Sequence, residues 1–175
     1  MLSVTASDII ARRPCSNYPP ERIRELLAGW ERWTALDILD LKQVPAIDRL
    51  WVVLHKSLIN EKTLRLLACQ FAEQALLAER AAGREPDARS WDAVAVARRF
   101  ADGLATEDEL SVAWSAAWYV ANPYSISFNQ SAAQSAAQSA VQSADRSVVW
   151  SAAWFAAQSA VRSAAILGMV REALK

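Results

Sequence analysis

Side chains able to do chemistry are few in this chain, and they are scattered. Among 175 residues there is one histidine, His55, and there are two cysteines, Cys15 and Cys69. A zinc site needs a cluster of Cys, His or acidic ligands at set spacings, and no such spacing occurs here. The glycines stand at 29, 83, 103 and 168, too far apart for a phosphate-cradling loop. Serines abound, yet none lies in a G-x-S-x-G elbow. Paired carboxylates occur at Asp37 and Asp40, one helical turn apart, and at Asp102 with Glu107–Glu109. Acids so spaced on a helix ordinarily face water. His55 ends an apolar run, where an imidazole serves the helix dipole more readily than a reaction. No nucleophile, base and orienting partner can be named together. The expectation is therefore no enzyme, no catalytic residue, no metal and no cofactor.

Tryptophan is the residue type best suited to binding, and the chain has eight. Ser111-Val-Ala-Trp-Ser-Ala-Ala-Trp118 recurs as Ser147-Val-Val-Trp-Ser-Ala-Ala-Trp154. Each copy places two indoles one turn apart, a pattern that buries large area in a core or anchors a protein contact. Trp114, Trp118, Trp150 and Trp154 are the candidate binding residues, joined by the acids Glu107, Asp108 and Glu109. Trp30 and Trp33, flanking Glu31 and Arg32, are expected to be partly exposed. Another use of the same tryptophans is a pocket for a planar or nucleotide-like molecule, with Gln134, Gln138 and Arg162 as polar partners.

Composition narrows the classes. The 19 basic residues balance 19 acidic ones, so a nucleic-acid binder working by bulk positive potential is not expected. Arg12, Arg13, Arg22 and Arg24 are close in sequence and form the one local basic cluster. Met1–Ile10 has neither a basic start nor a long apolar run, so no signal peptide is expected. The cytoplasm is the expected compartment. Cys69 lies in an apolar helical run and reads as a small core residue. The best window, Ser147–Val161, has 15 residues without charge, short of the about 20 apolar residues a membrane span needs.

The elements that would position these residues read as helices throughout, and the expected class is all-α, a multi-helix bundle of seven to nine helices in one domain over 1–175. Residues 1–103 read as ordinary amphipathic helices: Asp8–Arg13, Glu21–Trp33, Ala35–Leu41 capped by Thr34, Ala46–Lys56 opened by Pro45, Glu61–Ala82 capped by Asn60, and Asp87–Ala101. Leu64, Leu67, Ala68, Phe71, Ala75 and Leu76 recur at spacings of three and four and mark a buried stripe. In the sixth helix, Trp91, Val94, Ala95 and the stem of Arg98 are expected to share the packed side. Thr106-Glu-Asp-Glu109 is a capping box that opens a helix to Ala121, stopped by Asn122-Pro123. Tyr124–Asn129 is the one extended-looking segment.

Residues 104–175 form an Ala/Ser layer. From Ser131 the chain repeats a tetrad of the SAAQ type to Ile166. A four-residue step advances about 400° around a helix, so the serine row spirals and makes no single face. Small side chains all round allow close helix approach, and serine hydroxyls bond a carbonyl one turn back. A single helix from Gln130 to Leu174 would be about 67 Å long, against a globule diameter of about 40 Å. A break near Asp145-Arg146 is expected, bringing the two tryptophan copies into one aromatic layer. Self-assembly through the Ser/Ala surface, giving a homo-oligomer, is a further option.

Leu67-Ala-Cys-Gln-Phe-Ala-Glu-Gln-Ala-Leu-Leu77, the Pro86-Asp87 turn, Ala93-Val-Ala-Val-Ala-Arg-Arg-Phe-Ala-Asp-Gly103, a run of acids and an Ala-rich tail follow one another in an order that resembles the alanine-rich, all-helical immunity proteins of bacterial and phage polymorphic-toxin systems. Ala46-Ile-Asp-Arg-Leu-Trp-Val-Val-Leu54 precedes the cysteine helix as in that family. The resemblance covers about residues 45–167. Gln70, Phe71 and Gln74 depart from its pattern, and no interaction residue is carried over. It implies a non-enzymatic protein that binds another protein, a toxin or other enzyme, and occludes it.

Overall fold

The computed structural model of the chain describes residues 2–121 and 163–175. It is all-α. Eight helices are seen among the described residues: α1 Ala6–Ala11, α2 Pro20–Leu26, α3 Ala35–Leu39, α4 Ala46–Val53, α5 Glu61–Ala81, α6 Ala88–Ala101, α7 Glu107–Ala121 and α8 Ser163–Ala173. Two short strands, β1 Ser3–Val4 and β2 Trp33–Thr34, pair antiparallel with Ser3 opposite Thr34 and Val4 opposite Trp33. The tetrads up to Arg162, the Tyr124–Asn129 segment and the expected break near Asp145-Arg146 lie outside the described residues.

Helix α5 is the axis of the core. Leu64, Leu67, Ala68, Phe71, Ala75 and Leu76 are all buried, as the spacing requires. Against them pack Leu50, Val53 and Leu54 from the α4 end, Ile38 and Leu39 of α3, Val94 and Ala97 of α6, and Ile166 and Val170 of α8. The face of α6 differs from the expected one. Ser90, Ala93, Val94 and Ala97 are buried, whereas Ala95 is exposed and Trp91 and Arg98 are half-buried. The reason is that α6 has two neighbours, α5 and α7, and its alanines supply the seam toward α7. There Ala93, Ala113 and Ala117 form a second small cluster flanked by Val96, Leu110 and Trp114.

Helix starts follow a repeated local device. Thr5 with Asp8, Thr34 with Asp37 and Thr106 with Glu109 each form a reciprocal box, the threonine hydroxyl accepting from the third helical amide and the acid accepting from the threonine amide. Asn60 caps α5 through Thr63 N–H, 2.9 Å, and Asp87 caps α6 through Arg89 N–H, 2.9 Å. Gly83 and Gly103 end α5 and α6 with φ of +77° and +74°. In each case the following amide bonds back to the helix, Arg84 to Glu79 and Leu104 to Arg99, a closure that favours glycine at the left-handed position.

The expected helix Glu21–Trp33 stops at Leu26, and its last residues do other work. Gly29, with φ of +101°, turns the chain, and Trp33 leaves helical geometry to pair with Val4. Arg32 fixes the pairing, its Nε donating to Ser3 Oγ at 2.8 Å and its Nη2 to the Ser3 carbonyl at 2.9 Å. The gain from tertiary pairing exceeds the small propensity that favoured more helix. The Ala46–Lys56 helix ends three residues early, at Val53. Arg12 donates to the Val52 carbonyl at 3.1 Å and to Ser57 Oγ at 2.5 Å, which ties α1 to this turn.

The boxes at Thr5 and Thr106 carry a pH signature. Hydrogen bonds from Thr5 hold the Asp8 carboxyl below its ordinary value, and those from Thr106, aided by Arg99, do the same for Glu109. A lowered folded pKa means that the unfolded chain binds the proton more tightly. The stabilisation is therefore complete above the ordinary carboxylate values and is lost as pH falls through the lowered ones. Thermal denaturation across an acid series should show a falling midpoint in that window, with a shallower fall in Asp8→Asn. An equal slope in that variant would remove the box from the explanation.

Candidate functional site

A pocket of about 260 Å³ opens where α1, α2, α3 and α4 meet. Prolines punctuate the α1–α2 connection, and one of them, Pro14, lines the pocket. Pro14 closes the turn after α1, and Pro19-Pro20 starts α2, Pro20 at the first helical position where its missing N–H costs nothing. From the α1–α2 connection Pro14, Cys15 and Tyr18 reach the same pocket. The walls are apolar: Ile9 from α1, Ile23, Leu26 and Leu27 from the α2 region, Ile38 and Leu41 from the α3 region, Val44, and Trp51 and Val52 from α4.

Four polar side chains also line it: Cys15, Tyr18, Asp48 and Arg49. Tyr18 Oη donates to Asp48 Oδ2 at 2.7 Å. Burial, then the bond and charge of Asp48, push the phenol up to about 12. The Arg22 guanidinium lies 5.2 Å from the Tyr18 ring centroid. Arg49 Nη1 donates to the Leu39 carbonyl, while its Nε is buried with no hydrogen-bond partner. Because the folded phenol is the weaker acid, its contribution to stability is complete below pH 10 and lost as pH rises toward about 12. A phenolate absorbance titration should find Tyr18 ionising late, at about 12. Asp48→Asn should bring it forward; unchanged titration there would refute the assigned cause.

The pocket was not legible as a tryptophan-lined one. Its aromatic residues are Trp51 and Tyr18, and neither belongs to the repeated pairs. Trp114 is half-buried against the α6–α7 alanine seam. The side chain of Trp118, and all of Trp150, Trp154, Gln134, Gln138 and Arg162, lie outside the described residues. Trp30 is 75 % exposed, whereas Trp33 is half-buried with its indole N–H unpartnered.

Glu107, Asp108 and Glu109 are all exposed at the start of α7. Glu109 is engaged by Thr106 N–H at 2.7 Å and by Arg99 at 3.3 Å. Glu107 and Asp108 stand between two exposed apolar residues, Leu104 at 68 % and Val112 at 71 %. The other acids singled out by spacing have structural partners. Asp37 closes the α3 box, Asp40 pairs with Arg171 across the α3–α8 contact, and Asp102 pairs with Lys62 at 2.9 Å.

His55 Nδ1 accepts the Ser57 N–H at 3.1 Å and lies 2.9 Å from Ser57 Oγ. This serine–histidine pair closes a local turn, and Arg12 occupies the hydroxyl. Cys69 is fully buried, and burial raises its thiol to about 11, while Cys15 is exposed. A disulfide reagent near pH 8 should accordingly titrate one thiol in the folded chain and a second only on unfolding. Two fast thiols would contradict the packing around Cys69.

Among the described residues no group of three or more His, Cys, Asp or Glu is placed to hold a metal ion, and no helix is long and apolar enough to cross a membrane. In comparisons with known proteins, no family model, curated protein or solved structure matches the chain.

Proposed function

We propose that this chain is a non-enzymatic protein-binding module, an immunity-like inhibitor that covers a toxin or other enzyme with a preformed helical surface. The observation that carries this reading is the start of α7, where Leu104 and Val112, 68 % and 71 % exposed, bracket the exposed acids Glu107 and Asp108. Large apolar residues standing in water beside uncompensated charge suit a contact with an apolar-studded basic surface. The helix beneath is rigidly started by its capping box, so little ordering cost accompanies binding. A cytoplasmic setting agrees with two cysteines that are both free.

The test is affinity co-purification of the tagged chain from its native host, alongside a variant carrying Asp108→Lys and Val112→Lys. A stoichiometric partner lost from the variant supports the reading and identifies the target. A chain that elutes alone, or a partner retained equally by both proteins, overturns it. A second reading, binding of a small molecule, is favoured by the apolar pocket between α1 and α4.

A further inference from the structure

We infer that the pocket between α1 and α4 receives a neutral apolar molecule, a single ring with a short alkyl tail, seated among Ile9, Ile23, Ile38 and Trp51. This rests on the second reading above and gives it a ligand class. Volume sets the size. A cavity of about 150 Å³ lined by aliphatic and aromatic side chains takes benzene, so about 260 Å³ suits a ring with a short tail. The lining sets the polarity. Most of the wall is aliphatic, and a water molecule held against it would lack the several polar partners it needs. Displacing such a water by an apolar group gains affinity. Cys15 lines the pocket and is exposed, so the cavity reaches the surface there.

The polar groups of the lining are committed elsewhere. Tyr18 Oη donates to Asp48 Oδ2 at 2.7 Å, which uses the phenol hydrogen and one carboxylate oxygen. Burial and Asp48 push the phenol up to about 12, so it stays neutral. Arg49 Nη1 donates to the Leu39 carbonyl, and its Nε is shielded from solvent. The charged side chains that line the pocket, Asp48 and Arg49, sum to zero. Arg22 is exposed and does not line the cavity. It donates to the Asn17 carbonyl at 3.1 Å and lies over the Tyr18 ring. A charged ligand entering here would give up water and meet no unmatched opposite charge. A neutral hydrocarbon has no such cost and gains the full burial.

Calorimetric titration of the full chain at neutral pH with ethylbenzene, phenylacetate and benzylamine tests this. The three share a benzyl body and end in a methyl group, an anion and a cation. Ethylbenzene is expected to bind about tenfold or more tighter than either charged analogue, the penalty for burying a polar group without a partner. Methyl NMR on the unaltered chain locates it. The methyl signals of Ile9, Ile23 and Ile38 should shift on saturation, while that of Ile166, buried in the same core but outside the lining, should stay. Leu26→Trp, filling the pocket from a half-buried position, should abolish binding. A charged analogue that binds as tightly as ethylbenzene overturns the neutral class and leaves the pocket reading standing. Ethylbenzene bound without movement of the three lining isoleucines sits elsewhere and overturns the proposal. Should none of the three bind up to the solubility limit of ethylbenzene, the neutral class and the small-molecule reading fall together. The comparison on the unaltered chain decides the matter even where Leu26→Trp fails to fold.

Discussion

Phe71→Ala should lower the stability of the chain by about 3–5 kcal/mol, the usual cost of emptying a phenylalanine site in a packed core. Phe71 is fully buried in the middle of α5. It lies on the helix that is the axis of the core, packed round by side chains of α3, α4, α6 and α8, which have no shared direction in which to collapse. A single domain is ordinarily stable by about 5–15 kcal/mol, so this one change removes a large share. Urea denaturation of the variant beside Phe71→Leu measures it. Leucine retains most of the volume and should lose much less. A loss under about 1 kcal/mol, the level of an average substitution, would mean that α5 is not the axis described above.

Ile166→Asp should cost a similar amount, about 3–5 kcal/mol, because it adds a buried charge to a lost apolar contact. Ile166 and Val170 are fully buried against the same core, and α8 touches α3, α4 and α5. The Arg171–Asp40 pair at its edge is exposed and contributes little by comparison. Hydrogen exchange should show the damage concentrated in α8 and the facing sides of α4 and α5, with α6 and α7 less affected. Uniform acceleration throughout the chain would show instead that α8 belongs to one cooperative unit with every other helix.

The parts of this fold that were readable in the sequence are those set by local rules. The α5 stripe follows from spacings of three and four between Leu64 and Leu76, and the α7 start follows from Thr106 and Glu109, because both involve residues within a turn or two of each other. The box at Thr5-Ala-Ser-Asp8 carries the same signal, so α1 starts ahead of the Asp8–Arg13 stretch that the sequence reading assigned to it. Trp33 could not be read locally. Its strand geometry depends on Val4, which is distant in sequence, and on Arg32 reaching Ser3. The pocket is harder still. Its walls come from separate helices with ordinary amphipathic patterns, and concavity has no sequence signature. Arg49 looked like any solvated arginine on a short helix; only the geometry leaves its Nε without an acceptor. The tryptophan pairs and Ser/Ala tetrads drew attention to the other end of the chain for the opposite reason. They are conspicuous as composition, and composition reports how closely helices approach without reporting what they enclose.

The β1–β2 pairing has a mechanical consequence. Val4 and Trp33 close a chain loop that contains both α1 and α2, and Arg12 and Tyr18 tether that loop to the two ends of α4. One side of the pocket is thus a strap buckled at its two ends and stitched twice between them. Ile9, Ile23 and Leu27 on this strap are buried in the same core as α5, so the wall of the pocket is held by the core itself, and loosening the one would loosen the other.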